Sequence, residues 1–134
     1  VKVYGTQAEI DQAIRTLNRP RSKYGAQPEM VDNVRFDSRR EAARYGDLKL
    51  LLRAKKIADL ELQPAFPLDA PVISQATGEV LGLCRVGEYR ADFRYRDLVT
   101  REVIVEDAKG VRTAMYSWKK RHVQMQYGIV IREV

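Results

Sequence analysis

Two neighbouring runs constrain the fold of this chain more than anything else in it. "YRADFRY" at 89–95 alternates, with Tyr89, Ala91, Phe93 and Tyr95 on one face and Arg90, Asp92 and Arg94 on the other. "REVIVEDAKG" at 101–110 has the Val103, Ile104, Val105 core of a buried strand, then ends in Glu106, Asp107 and Lys109 before a glycine. The connection is short, so strands over 89–96 and 102–109 are expected to pair as an antiparallel hairpin. With its tip at Val99-Thr100, opposed residue numbers sum to 199, and Asp92 faces Asp107. Facing like charges destabilise a sheet. A divalent cation between them reverses the sign, because hard cations take oxygen ligands.

The rest of the chain supplies the frame. "TQAEIDQAIRTL" has Thr6 and Glu9 at capping-box spacing, followed by Ile10, Ala13, Ile14 and Leu17 on one helical face. "NRPRSKYGAQP" (18–28) reads as a basic loop, and "MVDNVRF" as a hairpin turning at Asp32-Asn33. A helix is expected over 38–55, capped by Ser38 and Glu41, with Glu41, Tyr45, Leu48 and Leu52 in one stripe. "IADLELQPAF" reads as a strand ending its ladder at Pro64, and "PVIS" and "VLGLCRV" as weaker apolar runs about the turn "QATGE". "TAMYSWKKRHVQMQYG" predicts a helix stopped by Gly128, with Met115, Trp118, His122 and Met125 in one stripe. Met115 and Trp118 are assigned to the core rather than to base stacking. "IVIREV" closes as a strand. The element order is helix, three strands, helix, strand, an α/β sandwich around a mixed sheet. The first helix is an arm (residues 1–21) ahead of the main domain (22–134).

Composition narrows the chemistry by exclusion. At 134 residues the chain suits one main domain, and its formal charge of +6 suits an anionic partner. One cysteine, Cys84, allows no internal disulfide and favours a reducing compartment. One histidine, His122, leaves no basis for a Ser-His-Asp set or a His-rich zinc site. Neither GxxxxGK[ST] nor GxGxxG occurs, so no nucleotide cofactor is expected. The apolar runs are too short for a membrane span or signal peptide.

Carboxylates, lysines and arginines remain. Asp107 and Lys109 share a strand face, so Asp92, Asp107 and Lys109 converge if the hairpin forms as expected. Phosphodiester hydrolysis uses such a set: two carboxylates as metal ligands and a lysine beside the scissile phosphate. The Ala108 carbonyl is a further candidate ligand. Glu41 either completes the shell or completes the Ser38 cap, and the two roles are compatible.

"ADF", the interval from Asp92 to Asp107, and "DAKG" resemble the paired motifs of PD-(D/E)XK nucleases, whose common core is αβββαβ. "FDSRREAARY" resembles the helix that brings their additional glutamate. As a set, "SKYGAQ", "FDSRREAARY", "DLELQPAF", "ADF" and "EDAKG" resemble a family of small phage and prophage proteins known as a domain of unknown function, considered akin to Holliday-junction resolvases. The resemblance covers roughly residues 22 to 134. It implies a restriction-endonuclease-like αβββαβ core, with Glu41, Asp92, Asp107 and Lys109 as the active site and Gln63 bordering it. Metal ligands would be Asp92, Asp107 and Glu41, the ion Mg²⁺, with Mn²⁺ able to substitute. Two departures stand out: Ala91 replaces the proline before Asp92, and the third-motif acid is Asp107 with Glu106 just before it. A one-residue register change would present Glu106 instead.

On that reading Arg39, Arg40, Lys119, Lys120 and Arg121 are expected to contact a phosphate backbone. The implied activity is a Mg²⁺-dependent endonuclease acting on four-way DNA junctions in the cytoplasm of a bacterial host. A homodimer is implied too, since junction resolution needs two symmetric nicks. The stripe Ile10, Ile14, Leu17 is its candidate docking element. The alternatives are a restriction-like, nicking or repair endonuclease, and a DNA-binding protein that keeps the fold without turnover.

Overall fold

The structure is a computed structural model that describes residues 27–134. The helix expected over 6–17, its dimer stripe and most of the 18–28 loop lie outside the described residues. The chain divides into two compact units, Val1–Arg39 and Arg40–Val134. In the first, β1 (Glu29–Val31) and β2 (Val34–Phe36) form an antiparallel hairpin. Its turn is Asp32-Asn33, both at positive φ, the conformation that matches a two-residue loop to the strand twist.

The second unit is mixed α/β. Helix α1 spans Arg39–Arg53, followed by β3 (Ile57–Leu62), β4 (Ala65–Ile73), β5 (Val80–Arg90), β6 (Phe93–Asp97) and β7 (Val103–Asp107). Helix α2 (Ala114–Tyr127) and β8 (Ile131–Glu133) complete it. Strands β3, β6, β7 and β8 make one sheet in that order, antiparallel except for the parallel β7–β8 pair. Helix α2 is the crossover that a parallel neighbour requires. The order helix, strand, strand, strand, helix, strand is thus present in the main sheet, with the separate two-stranded β4–β5 sheet inserted between β3 and β6.

That hairpin is the main difference from the sequence reading. β5 runs on through Gly87 and takes in Tyr89 and Arg90, so the strand expected over 89–96 is broken at Ala91-Asp92. The alternation survives the break: Tyr89, Ala91, Phe93 and Tyr95 are all buried. The core joins Phe66 and Leu68 of β4, Tyr89 and Ala91, Val105 of β7, Val123 of α2 and Ile131 of β8.

Helix α2 ends at the expected Gly128, and the structure adds an N-cap at its start. The Thr113 side chain accepts from the Tyr116 N–H, and Gly128 takes the left-handed conformation at φ 64°. Its facing is another matter. Met115, Trp118 and Met125 are exposed, and Val123 is the buried residue of the helix, with Tyr116 packed against the core. The core assignment of Met115 and Trp118 is therefore corrected. The helix has apolar residues on two faces, and the one bearing Tyr116 and Val123 meets the sheet. On α1, Leu48 is buried as expected while Leu52 is exposed.

Candidate active site

The β6–β7 hairpin places the acids. Phe93 pairs with Glu106 and Arg94 with Val105, the expected register. The ladder continues one step beyond β6, where the Asp92 N–H donates to the Glu106 carbonyl (3.1 Å). On the other side the Gln63 N–H donates to the Asp92 carbonyl (2.8 Å), and the Ala91 N–H to that of Pro64 (3.1 Å). Gln63 sits at φ 51°, an uncommon conformation for a residue with a Cβ and one that recurs at functional sites. The "LQP" corner therefore clamps the Asp92 backbone, and Gln63 borders the site.

Alternation along β7 separates the two neighbouring acids. Glu106, 2% exposed, accepts from Arg44 through Nε (2.8 Å) and Nη2 (2.7 Å) and from the Tyr95 hydroxyl (2.6 Å). This bidentate bond holds the Arg44 pKa above its usual value, while burial and then the Glu106 bond push the Tyr95 phenol up to about 12. Glu106 is thereby committed to α1. Asp107 points to the other face, toward Asp92 and Lys109.

Asp107 is fully buried. Its Oδ2 accepts a short hydrogen bond from the Tyr89 hydroxyl. Its Oδ1 is ion-paired with the Lys109 ammonium at 3.0 Å. Asp92 Oδ2 accepts from the Ala108 N–H (2.6 Å). Burial first, then the charges of Asp107 and Glu41, raise the Asp92 pKa to about 8. For Lys109, burial works against the ammonium, but Asp107, Asp92 and Glu41 outweigh it and hold the pKa above the usual lysine value. The field of Glu41 thus reaches both Asp92 and Lys109. Arg40 on α1 donates from Nη1 to the Lys109 carbonyl (2.6 Å).

Three side chains join the site that sequence reasoning did not assign to it. Tyr89 orients Asp107, and burial followed by that bond holds its phenol well above the ordinary range. The Tyr116 ring lies 4.9 Å from Lys109 Nζ, and its hydroxyl donates to Glu133 (3.2 Å). Glu133 stands beside Asp107 across the parallel ladder and also pairs with Arg112 and Lys120. A buried tyrosine needs a partner for its hydroxyl, and that was the available hint for Tyr89.

The basic residues scatter. Lys120 Nζ bonds Glu133 (2.8 Å), Lys119 Nζ bonds the Glu88 carbonyl (2.9 Å), and Arg121 lines a cavity beside β4. Arg39, in the first unit, is exposed.

The donor set fits a hard divalent cation held in part by other oxygens. Among the described residues no three acidic, histidine or cysteine side chains make a ready cage. Mg²⁺ does not need one, since it is usually bound by one or two carboxylates with water and phosphate oxygens. Two carboxylates that repel each other, one of them fully buried, are what such an ion would relieve. Among the described residues no helix is long and apolar enough to cross a membrane.

Among known proteins, residues 21–133 match the family model described as "Protein of unknown function (DUF1064)". No curated protein matches, and no solved structure does.

Proposed function

The chain belongs to the DUF1064 family of proteins of unknown function, so its activity has to be read from its own residues, and we propose that it is a metal-dependent DNA endonuclease of the PD-(D/E)XK kind. The observation that carries this reading is the convergence of Asp92, Asp107 and Lys109, with Asp107 fully buried and its Oδ1 3.0 Å from the Lys109 ammonium. The αβββαβ order within the main sheet supports it, as does the Glu41 field on Asp92 and Lys109.

Asp92 and Asp107 would hold Mg²⁺ or Mn²⁺, with Glu41 in the surrounding shell. A bound cation supplies Lewis acidity and neutralises charge at the phosphodiester. The rest falls to the chain. Tyr89 fixes Asp107 through Oδ2, and Oδ1, paired with Lys109, would be the oxygen offered to the ion. Lys109 keeps its proton at neutral pH, so it serves as a fixed positive charge beside the phosphate rather than as a general base. Arg40, exposed at the start of α1, anchors the Lys109 backbone and presents its remaining donors to the DNA backbone.

The substrate class best matching this reading is the four-way junction, cut in the cytoplasm of a bacterial host by a twofold dimer. The test is a nicking assay on four-way, flap, splayed and linear DNAs in Mg²⁺ against EDTA. Mg²⁺-dependent cleavage favouring the four-way substrate supports the proposal. Comparable rates on linear duplex move it to a restriction-like or repair nuclease. Complete burial of Asp107 favours one rival, a DNA-binding protein with a closed, structural ion pair. Junction binding without cleavage at any metal concentration would select it.

A further inference from the structure

From Pro71 to Val86 the β4–β5 hairpin is exposed on both faces, apart from half-buried Ser74. Among the described residues its sheet has two strands and no third. A two-stranded ribbon alone in water is marginally stable at best. This one nevertheless carries Val72, Ile73, Val80, Leu81, Leu83 and Val86, between 43% and 74% exposed. Register shifts between Leu68 and Asp69 and between Val72 and Ile73 leave Val86 and Leu81 as extra residues, which spreads apolar groups over both faces.

The two edges differ. At the base of β4 the outer edge is engaged by α2: the Asp69 N–H donates to Gln126 (2.9 Å), and the Asp69 carbonyl meets His122 Nε2 (2.9 Å). Among the described residues the outer edge of β5 has no strand beside it over Val80–Val86. An open, apolar edge strand is a template for another chain. Trp118 and Met125 on α2 line, with Pro71, Arg121 and His122, a separate cavity of about 460 Å³ beside β4.

Charge and the open edge identify the occupant. Between Ala70 and Val86 the charged residues are Glu79 and Arg85, and Arg85 is paired to Asp69 at 3.0 Å. A surface this neutral offers a polyanion nothing to neutralise. A neutral apolar strand with an open edge complements itself without charge clash, which suits an isologous contact.

We propose that this ribbon is a homodimer interface, in which β5 of one copy pairs antiparallel with β5 of a second about a twofold axis, closing a four-stranded sheet between them. The inference does not depend on the chemistry of Asp92, Asp107 and Lys109.

Cys84, exposed on β5 between Leu83 and Arg85, is the chain's one cysteine. In the paired strands it lies close to its symmetry mate. Light scattering on the full chain should give twice the 15.4 kDa of one copy. A short bis-maleimide should join the native protein into a covalent dimer through Cys84. Leu81→Gln together with Leu83→Gln, both neutral changes, should reduce that product about tenfold and give a monomer with an unchanged circular-dichroism spectrum. A monomeric native protein at about 50 µM would overturn the proposal. A dimer whose mass and crosslinking survive the double substitution would do the same. So would a double variant of unchanged mass that has lost junction binding, since that result gives the ribbon to DNA.

Discussion

Arg44 holds Glu106 by two hydrogen bonds, 2.8 and 2.7 Å long, across an interval of 62 residues. That bond decides which of two adjacent acids faces the candidate site. With Glu106 tied to α1, strand alternation turns Asp107 toward Asp92 and Lys109.

Arg44→Ala would leave a nearly fully buried carboxylate without its main partner. Breaking a buried pair from one side costs about 3–5 kcal/mol. Urea unfolding should show a loss of that order, with part of it recovered by adding Glu106→Gln. A loss under about 1 kcal/mol for the single change would mean that water replaces Arg44 at Glu106.

Asp92 gives a pH dependence with a definite sign. Its folded pKa of about 8 lies above the usual aspartate value, so the folded state binds more protons than the unfolded one between the two values. The contribution of Asp92 to metal-free stability is therefore fully favourable below about pH 4 and declines as pH rises toward 8. The melting temperature without metal should fall across that window, and Asp92→Asn should flatten the slope. Saturating Mg²⁺ should also flatten it, because the ion replaces the proton. A wild-type slope that neither the substitution nor Mg²⁺ changes would remove Asp92 from the coupled pair.

Tyr89→Phe removes the hydrogen bond to Asp107 Oδ2 and leaves a buried acceptor unmatched. The expected loss is about 1–3 kcal/mol in denaturant unfolding. Cleavage should fall as well, because Asp107 loses the contact that orients it. Full cleavage activity in a destabilised variant would make Tyr89 a packing residue alone.

Arg40→Ala acts at the surface. It should leave stability within about 0.5 kcal/mol of wild type. Loss of the charge-assisted bond to the Lys109 carbonyl should lower cleavage about tenfold. Unchanged cleavage would show that Lys109 is held without it.

Much of this arrangement was legible in the sequence because it is local. The β6–β7 register follows from the hairpin tip alone, the end of α2 from Gly128, and the course of α1 from its apolar spacing. The Asp32-Asn33 turn follows from residues that tolerate positive φ. What was not legible depends on partners far away in the chain. Arg44 and Glu106 meet through tertiary packing, and no spacing rule links them. The β4–β5 ribbon was read as two weak runs because its apolar residues do not alternate cleanly between a wet and a dry face. The stripe of Met115, Trp118 and Met125 has sound helical spacing, but periodicity identifies an apolar face without saying what covers it. The Gln63 bend around Asp92 is likewise invisible until the backbone is traced.

The central claim is that Asp92 and Asp107 hold a divalent ion beside Lys109 for phosphodiester cleavage. Its most direct test is single-turnover nicking of a four-way junction in Mg²⁺ by wild type, Asp107→Asn and Lys109→Ala, each first shown to bind the junction. The account predicts cleavage by wild type that EDTA abolishes, and a loss of at least about a thousandfold in both variants with binding retained. Cleavage at the wild-type rate by either variant would contradict it.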